Sequence, residues 1–167
     1  IQPRLGPGNS DATEAVILSR TIRWTEHGIE YEAGPTQCEK LAAEGGMANT
    51  NSVATFGLGV SVALLADDAE LPPQLHTAFR GSAARANDLA ADRLDAQFAA
   101  KEICRWMSKA TKAAWEAVMR LCRYLAGLPR MVFQCKWQNI EHADVYTDTD
   151  WAGCRRTRKS TRGGCVF

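Results

Sequence analysis

The sequence predicts an α+β fold running from a β-hairpin through a helical block to a strand-rich end. Three observations predict it. Residues 15–33 hold two apolar-polar alternations separated by a glycine turn. Residues 74–126 repeat apolar side chains at helical spacing, and residues 131–149 return to strand composition.

The first ten residues are rich in Gly, Pro and polar groups and read as an irregular lead-in, with residues 1–14 outside the first regular element. Ala15–Trp24 alternates in its second half and Ile29–Ala33 answers it. Thr25-Glu-His-Gly28 between them supplies the turn, so the pair is expected to form a hairpin. Pro35–Glu44 reads as a short helix stopped by Gly45-Gly46. Residues 48–73 show no sustained period, contain many small residues and end on Pro72-Pro73, as a linker does.

The helical block follows. Ala96, Ala99, Ala100, Ile103, Cys104 and Met107 recur at helical spacing, and Trp115, Val118, Met119, Cys122 and Leu125 do so more clearly. Ser108–Thr111 interrupts the run, and Thr111 suits the N-cap of the last helix. Gly127 suits its stop, after which Met131–Trp137 and Ala143–Thr149 read as strands. No internal repeat is visible.

The chain has 167 residues, enough for one ordinary core, with 46% hydrophobic and 23% charged residues. The net charge of +1 means that any affinity for nucleic acid must come from local patches. Six cysteines are scattered without Cys-x-x-Cys spacing, which argues against zinc and against a disulfide framework. Cys104 and Cys122 fit apolar helix faces as buried thiols. The apolar stretch Val53–Ala66 is short and interrupted, so no membrane span is expected. With no secretory signal, the expected compartment is reducing and intracellular, cytoplasmic or nuclear.

The segment Val145–Phe167 carries the chemistry. In a strand, Tyr146, Asp148 and Asp150 share one face, and the two carboxylates lie roughly 6.6–6.8 Å apart along the backbone, near enough to flank one divalent ion. Arg155, Arg156, Arg158, Lys159 and Arg162 follow at once. Acid beside base suits metal-assisted phosphodiester cleavage, with carboxylates holding Mg²⁺ and cations holding the phosphate backbone. The bland reading is a turn with solvated charges, and two aspartates do not complete a two-metal site. Asp67-Asp68 has no flanking strand pattern and reads as a solvated pair. Lys112, Arg120, Arg123 and Arg130 read as a solvated helix face, and Trp24, Trp106, Trp115 and Trp137 as packing. His27, His76 and His142 lack a partner pattern. Ser160 and Thr161 lack a base and read as turn residues.

Tyr146-Thr-Asp-Thr-Asp-Trp-Ala-Gly153 and Arg158-Lys-Ser-Thr-Arg-Gly163 resemble the start of the ribonuclease H domain in copia-type retrotransposon Pol polyproteins. That family has Tyr-Ser-Asp-Ala-Asp-Trp-Ala-Gly, then Arg-Lys-Ser-Thr-Ser-Gly. Upstream, Arg93-Leu-Asp95, Phe98-Ala-Ala100 and Arg120-Leu-Cys-Arg-Tyr-Leu-Ala-Gly127 resemble the family's Arg-Pro-Asp segment and Arg-Tyr-Leu-x-Gly helix. Ile22–Glu32 and Leu41–Thr55 resemble the hairpin and short helix that follow the polymerase palm. The resemblance implies a reverse-transcriptase thumb and connection region over 15–130 and a truncated start of ribonuclease H, with a partial sheet, over 131–167.

It further implies that Asp148 is the first metal-binding carboxylate of the nuclease, with Asp150 its same-face neighbour, and that Mg²⁺ serves the intact parent enzyme. The implied partners are an RNA–DNA hybrid, or another nucleic acid, and the remainder of the Pol polyprotein. The rest of both carboxylate sets would lie outside this chain, so the isolated chain is expected to be inactive. Leu94 and Ala110 stand where the family has proline, Phe56 replaces the proline of a Thr-Pro pair, and Arg162 replaces a serine. Asp88 stands where the family has tyrosine, a costly exchange on a buried face. These departures resemble those of a decayed or rearranged element copy. Two other readings stand beside this one: a non-enzymatic nucleic-acid-binding module using residues 155–162, and a remnant without function whose open sheet edge favours aggregation.

Overall fold

The computed structural model describes residues 4–44, 51–56, 69–139, 141–154 and 157–166. The expected stop at Gly45-Gly46, the Asp67-Asp68 pair and much of the expected linker lie outside them. The predicted α+β class holds: four helices stand beside a four-stranded and a two-stranded antiparallel sheet.

The expected hairpin is present as β2 (Arg20–Thr25) and β3 (Gly28–Glu32), paired from Thr21↔Glu32 to Thr25↔Gly28. Gly28 has φ +155°, and a Cβ there would lie 2.0 Å from the Cys135 carbonyl oxygen, so this turn and its close approach require glycine. The stretch before it is two strands. β1 (Glu14–Ile17) folds back on β2 through Leu18-Ser19, both with positive φ. That two-residue turn has the left-handed geometry that favours Asn-Gly, and neither residue advertises it.

β4 (Val132–Lys136) pairs antiparallel with β3 and completes the sheet in the order β1-β2-β3-β4. The β3–β4 ladder therefore crosses the division expected between residues 130 and 131. The second sheet joins β5 (Val145–Thr149) to β6 (Arg162–Val166).

Pro35–Glu44 forms α1, as expected. α2 (Pro73–Leu89) begins with Pro73 in its first turn, where proline sacrifices no helical hydrogen bond. A 3-10 turn (Leu94–Ala96) leads into α3 (Gln97–Cys104). In α4 (Lys112–Gly127), the Thr111 hydroxyl accepts from the Ala114 N–H at 3.2 Å, the cap expected from sequence.

Phe79 and Ala83 of α2, Ile103 of α3 and Val118, Leu121 and Leu125 of α4 close a dry core with Leu41 of α1. Each large apolar side chain there contributes on the order of 1.5–3 kcal/mol by burial. Val53 and Phe56 pack against this core, with Phe56 edge-on to Tyr124 at 5.2 Å, so part of the expected linker is bound to the helices. Asp88 is exposed and accepts from Gln37 at 3.0 Å. The cost anticipated for it on a buried face does not arise, because Phe79, Ala83, Ala86 and Leu89 are what α2 turns inward. All six cysteines are free thiols. Cys122 is buried, while Cys104 is only half-buried. Among the described residues, no helix is long and apolar enough to cross a membrane.

Candidate functional site

The motif-bearing residues sit on the β5–β6 hairpin. Val145, Tyr146, Thr147, Asp148 and Thr149 are all exposed, as are the five residues of β6. Asp148 stands opposite Gly163 in the ladder, and its Oδ1 accepts the Thr149 N–H at 2.8 Å. The rest of its carboxylate faces water, at the rim of a sheet with no bulky neighbour across from it.

Asp150 lies one residue past β5 and has a different task. Its N–H donates to Thr161 O at 2.9 Å, and its Oδ1 accepts the backbone N–H groups of Thr161 and Gly153. An aspartate accepting nearby backbone donors in this way closes a turn, here the base of the 150–161 loop. Gly153 is required beside it, because a Cβ would come within 2.3 Å of the Asp150 carboxylate. The two aspartates are thus neighbours in sequence with one free carboxylate between them. Among the described residues, no group of three His, Cys, Asp or Glu side chains is placed to hold a metal ion. The residues present do not by themselves make up a Mg²⁺ site.

The basic loop is held by its own backbone. Cys154 N–H donates to Lys159 O, and Arg158 N–H, with φ +54°, donates to Cys154 O at 2.7 Å. Arg158 and Lys159 are exposed on it, and Arg162 is exposed at the start of β6. Arg155 and Arg156 lie outside the described residues. Lys101 of α3 reaches Thr161 Oγ1 at 3.0 Å, which ties the loop to the helical block. Trp151 beside the loop is 93% exposed.

The Arg93-Leu-Asp95 motif proves to be an internal clamp. Arg93 is only 1% exposed; its Nε and Nη2 donate to the two Asp95 oxygens at 2.9 and 2.7 Å, and Nη2 also reaches Leu128 O at 3.1 Å. Tyr124 OH donates to Asp95 at 2.8 Å. Burial alone would raise the Asp95 pKa, but the bonds from Arg93 and Tyr124 outweigh it and hold the carboxyl below its ordinary range. The carbonyls that α4 leaves unpaired at its end thereby gain a donor.

Two further clusters fix the four-stranded sheet to the helices. Arg20 Nε donates to Asp92 at 2.8 Å, and Tyr31 OH donates to the same oxygen. Burial again opposes the charged Asp92, and these two bonds keep its pKa lowered. Glu32 accepts from Arg130, just after α4, and from Arg23 at 2.8 Å, and these bonds bring its pKa down to about 2. Arg130, expected on a solvated face, is therefore a structural partner. No spacing rule pairs residues 98 apart, so this bond had no signal in the sequence.

Three known proteins, all from Arabidopsis thaliana, are similar to this chain. The Retrovirus-related Pol polyprotein from transposon RE2 is 34% identical over 91 residues, which are 54% of this chain and 6% of that protein. The corresponding polyprotein from transposon RE1 is 33% identical over 91 residues, again 54% and 6%. An uncharacterized mitochondrial protein is 30% identical over 89 residues, 53% of this chain and 37% of its own length. The chain thus spans only a small part of the polyproteins it matches. No family model and no solved structure matches it. Across about half of its length the chain is similar to retrovirus-related Pol polyproteins of transposons, the resemblance its own motifs carry.

Proposed function

We propose that this chain is a segment of a copia-type Pol polyprotein that joins the end of the reverse-transcriptase region to the beginning of ribonuclease H. The observation that carries the reading is the placement of Asp148: an exposed carboxylate on a two-stranded antiparallel ladder, with the Arg158–Gly163 motif forming the return strand. The similarity to two transposon Pol polyproteins supports it. In the intact enzyme, Asp148 would supply one ligand to Mg²⁺ and the exposed Arg158, Lys159 and Arg162 would contact phosphates. The hairpin β2–β3 and the helical block would help position primer and hybrid through backbone contacts. Asp150 supports this site from the turn.

The chain alone lacks the remaining carboxylates and is catalytically silent. Incubation with an RNA–DNA hybrid and Mg²⁺ tests this: the RNA strand stays intact, whereas cleavage abolished by Asp148→Asn would overturn the proposal. A non-enzymatic reading is favoured by one observation, the exposure of Arg158, Lys159 and Arg162 around a pinned loop. It predicts salt-sensitive binding that weakens when these three become alanine.

A further inference from the structure

The four-stranded sheet carries a second candidate surface, remote in sequence from the Asp148 motif. Its register puts Ile22, Trp24, Ile29, Tyr31, Phe133 and Cys135 on one face, and none of them belongs to the buried core. Trp137, just beyond β4, stacks on Trp24 with ring centroids 4.4 Å apart and planes tilted by 43°. Its Nε1 donates to Thr25 O at 3.1 Å and its N–H to His27 O at 3.0 Å. The indole is held at three points yet stays 48% exposed. Packing alone does not explain an aromatic ring so firmly oriented toward water.

Beside the ring opens a cavity of about 470 Å³ lined by Glu26, His27, Gln134, Lys136 and Trp137. That is the size of a small-ligand site. The lining combines a fixed π-face with a cation, an amide and a carboxylate acceptor. An apolar peptide side chain would satisfy the ring and leave the polar groups without partners. A nucleotide satisfies all of them: the base stacks on the indole, its amino edge meets Glu26 or Gln134, and its phosphate meets Lys136. We propose that this cavity takes an unpaired nucleobase of a single-stranded nucleic acid, stacked on Trp137 with the flanking phosphate at Lys136. The proposal rests on the nucleic-acid reading above for its partner and is independent of the 158–162 loop.

The test uses the whole 167-residue chain and a fluorescent oligo(dC) at neutral pH and low salt, read by anisotropy. Trp137→Leu weakens binding by roughly tenfold or more, the effect of losing one stacked base, without changing the salt dependence. Lys136→Ala lowers the salt slope by about one, the signature of a single phosphate contact. Because Trp137 also anchors the sheet edge, the exposed Lys136 decides the question if Trp137→Leu melts. Unchanged affinity and unchanged slope in Lys136→Ala overturn the proposal. Loss of self-association in Trp137→Leu with oligo(dC) affinity intact also overturns it and assigns the face to protein contact. In either case, weaker binding by the Arg158, Lys159 and Arg162 alanine variant leaves the nucleic-acid reading standing. No binding by the wild-type chain to oligo(dC) or to hybrid removes both.

Discussion

The helical block and the β5–β6 hairpin are built on opposite terms. The block closes Phe79, Ile103, Leu121 and Leu125 into a core, and the clamp of Arg93 on Asp95 and on the Leu128 carbonyl finishes α4. The hairpin exposes every residue of both strands and rests on ladder bonds, the Asp150 turn and the single reach of Lys101 to Thr161. A two-stranded ribbon without a covered face is marginal in water. The residues that carry chemistry therefore lie where the chain supplies least stability, and the residues that carry stability touch none of the candidate site. Recognition of function and explanation of folding must be sought in different halves of the molecule.

The widest separation between the two regions should come from truncating large apolar groups. Phe79→Ala is expected to cost about 3–5 kcal/mol in denaturant unfolding, since a cavity opens in a dry core. Val145→Ala, at an exposed strand position, should stay within about 0.5 kcal/mol. Similar losses at both sites would break the contrast.

Acid should separate the sheet's anchorage from the hairpin. Glu32 has its pKa lowered to about 2 by Arg130 and Arg23. A carboxylate with a depressed folded-state pKa binds its proton more readily when unfolded, so its stabilisation is complete above about pH 4.3, the unfolded value. It is lost as pH falls from there toward about 2. Melting temperature should fall across that window in the wild type, and more gently in Glu32→Gln, which begins from a lower value. Identical slopes would show that the Arg130–Glu32–Arg23 cluster does not contribute.

The smallest effect concerns the two aspartates. Asp150→Ala removes an acceptor shared by two backbone donors and should loosen the hairpin by about 1 kcal/mol, seen as faster amide exchange at Thr161. Asp148→Asn should leave exchange there unchanged, because Asp148 bonds only to its neighbour's N–H. Loosening by both, or by neither, would erase the division of labour between them.

Local rules made α1, α4 with its Thr111 cap, the β2–β3 turn and the C-terminal strands legible in the sequence, since each depends on residues within one or two turns of chain. The Leu18-Ser19 turn was invisible because neither residue favours positive φ. The pairing of β4 with β3 and the Glu32–Arg130 bond span about a hundred residues, and no periodicity reports them. Of the candidate site, Asp148 was placed on its strand by alternation alone. The role of Asp150 depends on how residues 153 and 161 return to it, which spacing does not reveal. Arg93 and Asp95 stood out as a motif without a task until burial supplied one.

Native-state hydrogen exchange measures the contrast most directly. Amides of α2, α3 and α4 should exchange only through global unfolding, at one shared free energy, while those of β5 and β6 exchange through local opening at a much lower one. Equal protection of the β5–β6 ladder and the helical core would contradict the account, because the motif-bearing hairpin would then belong to the cooperative core.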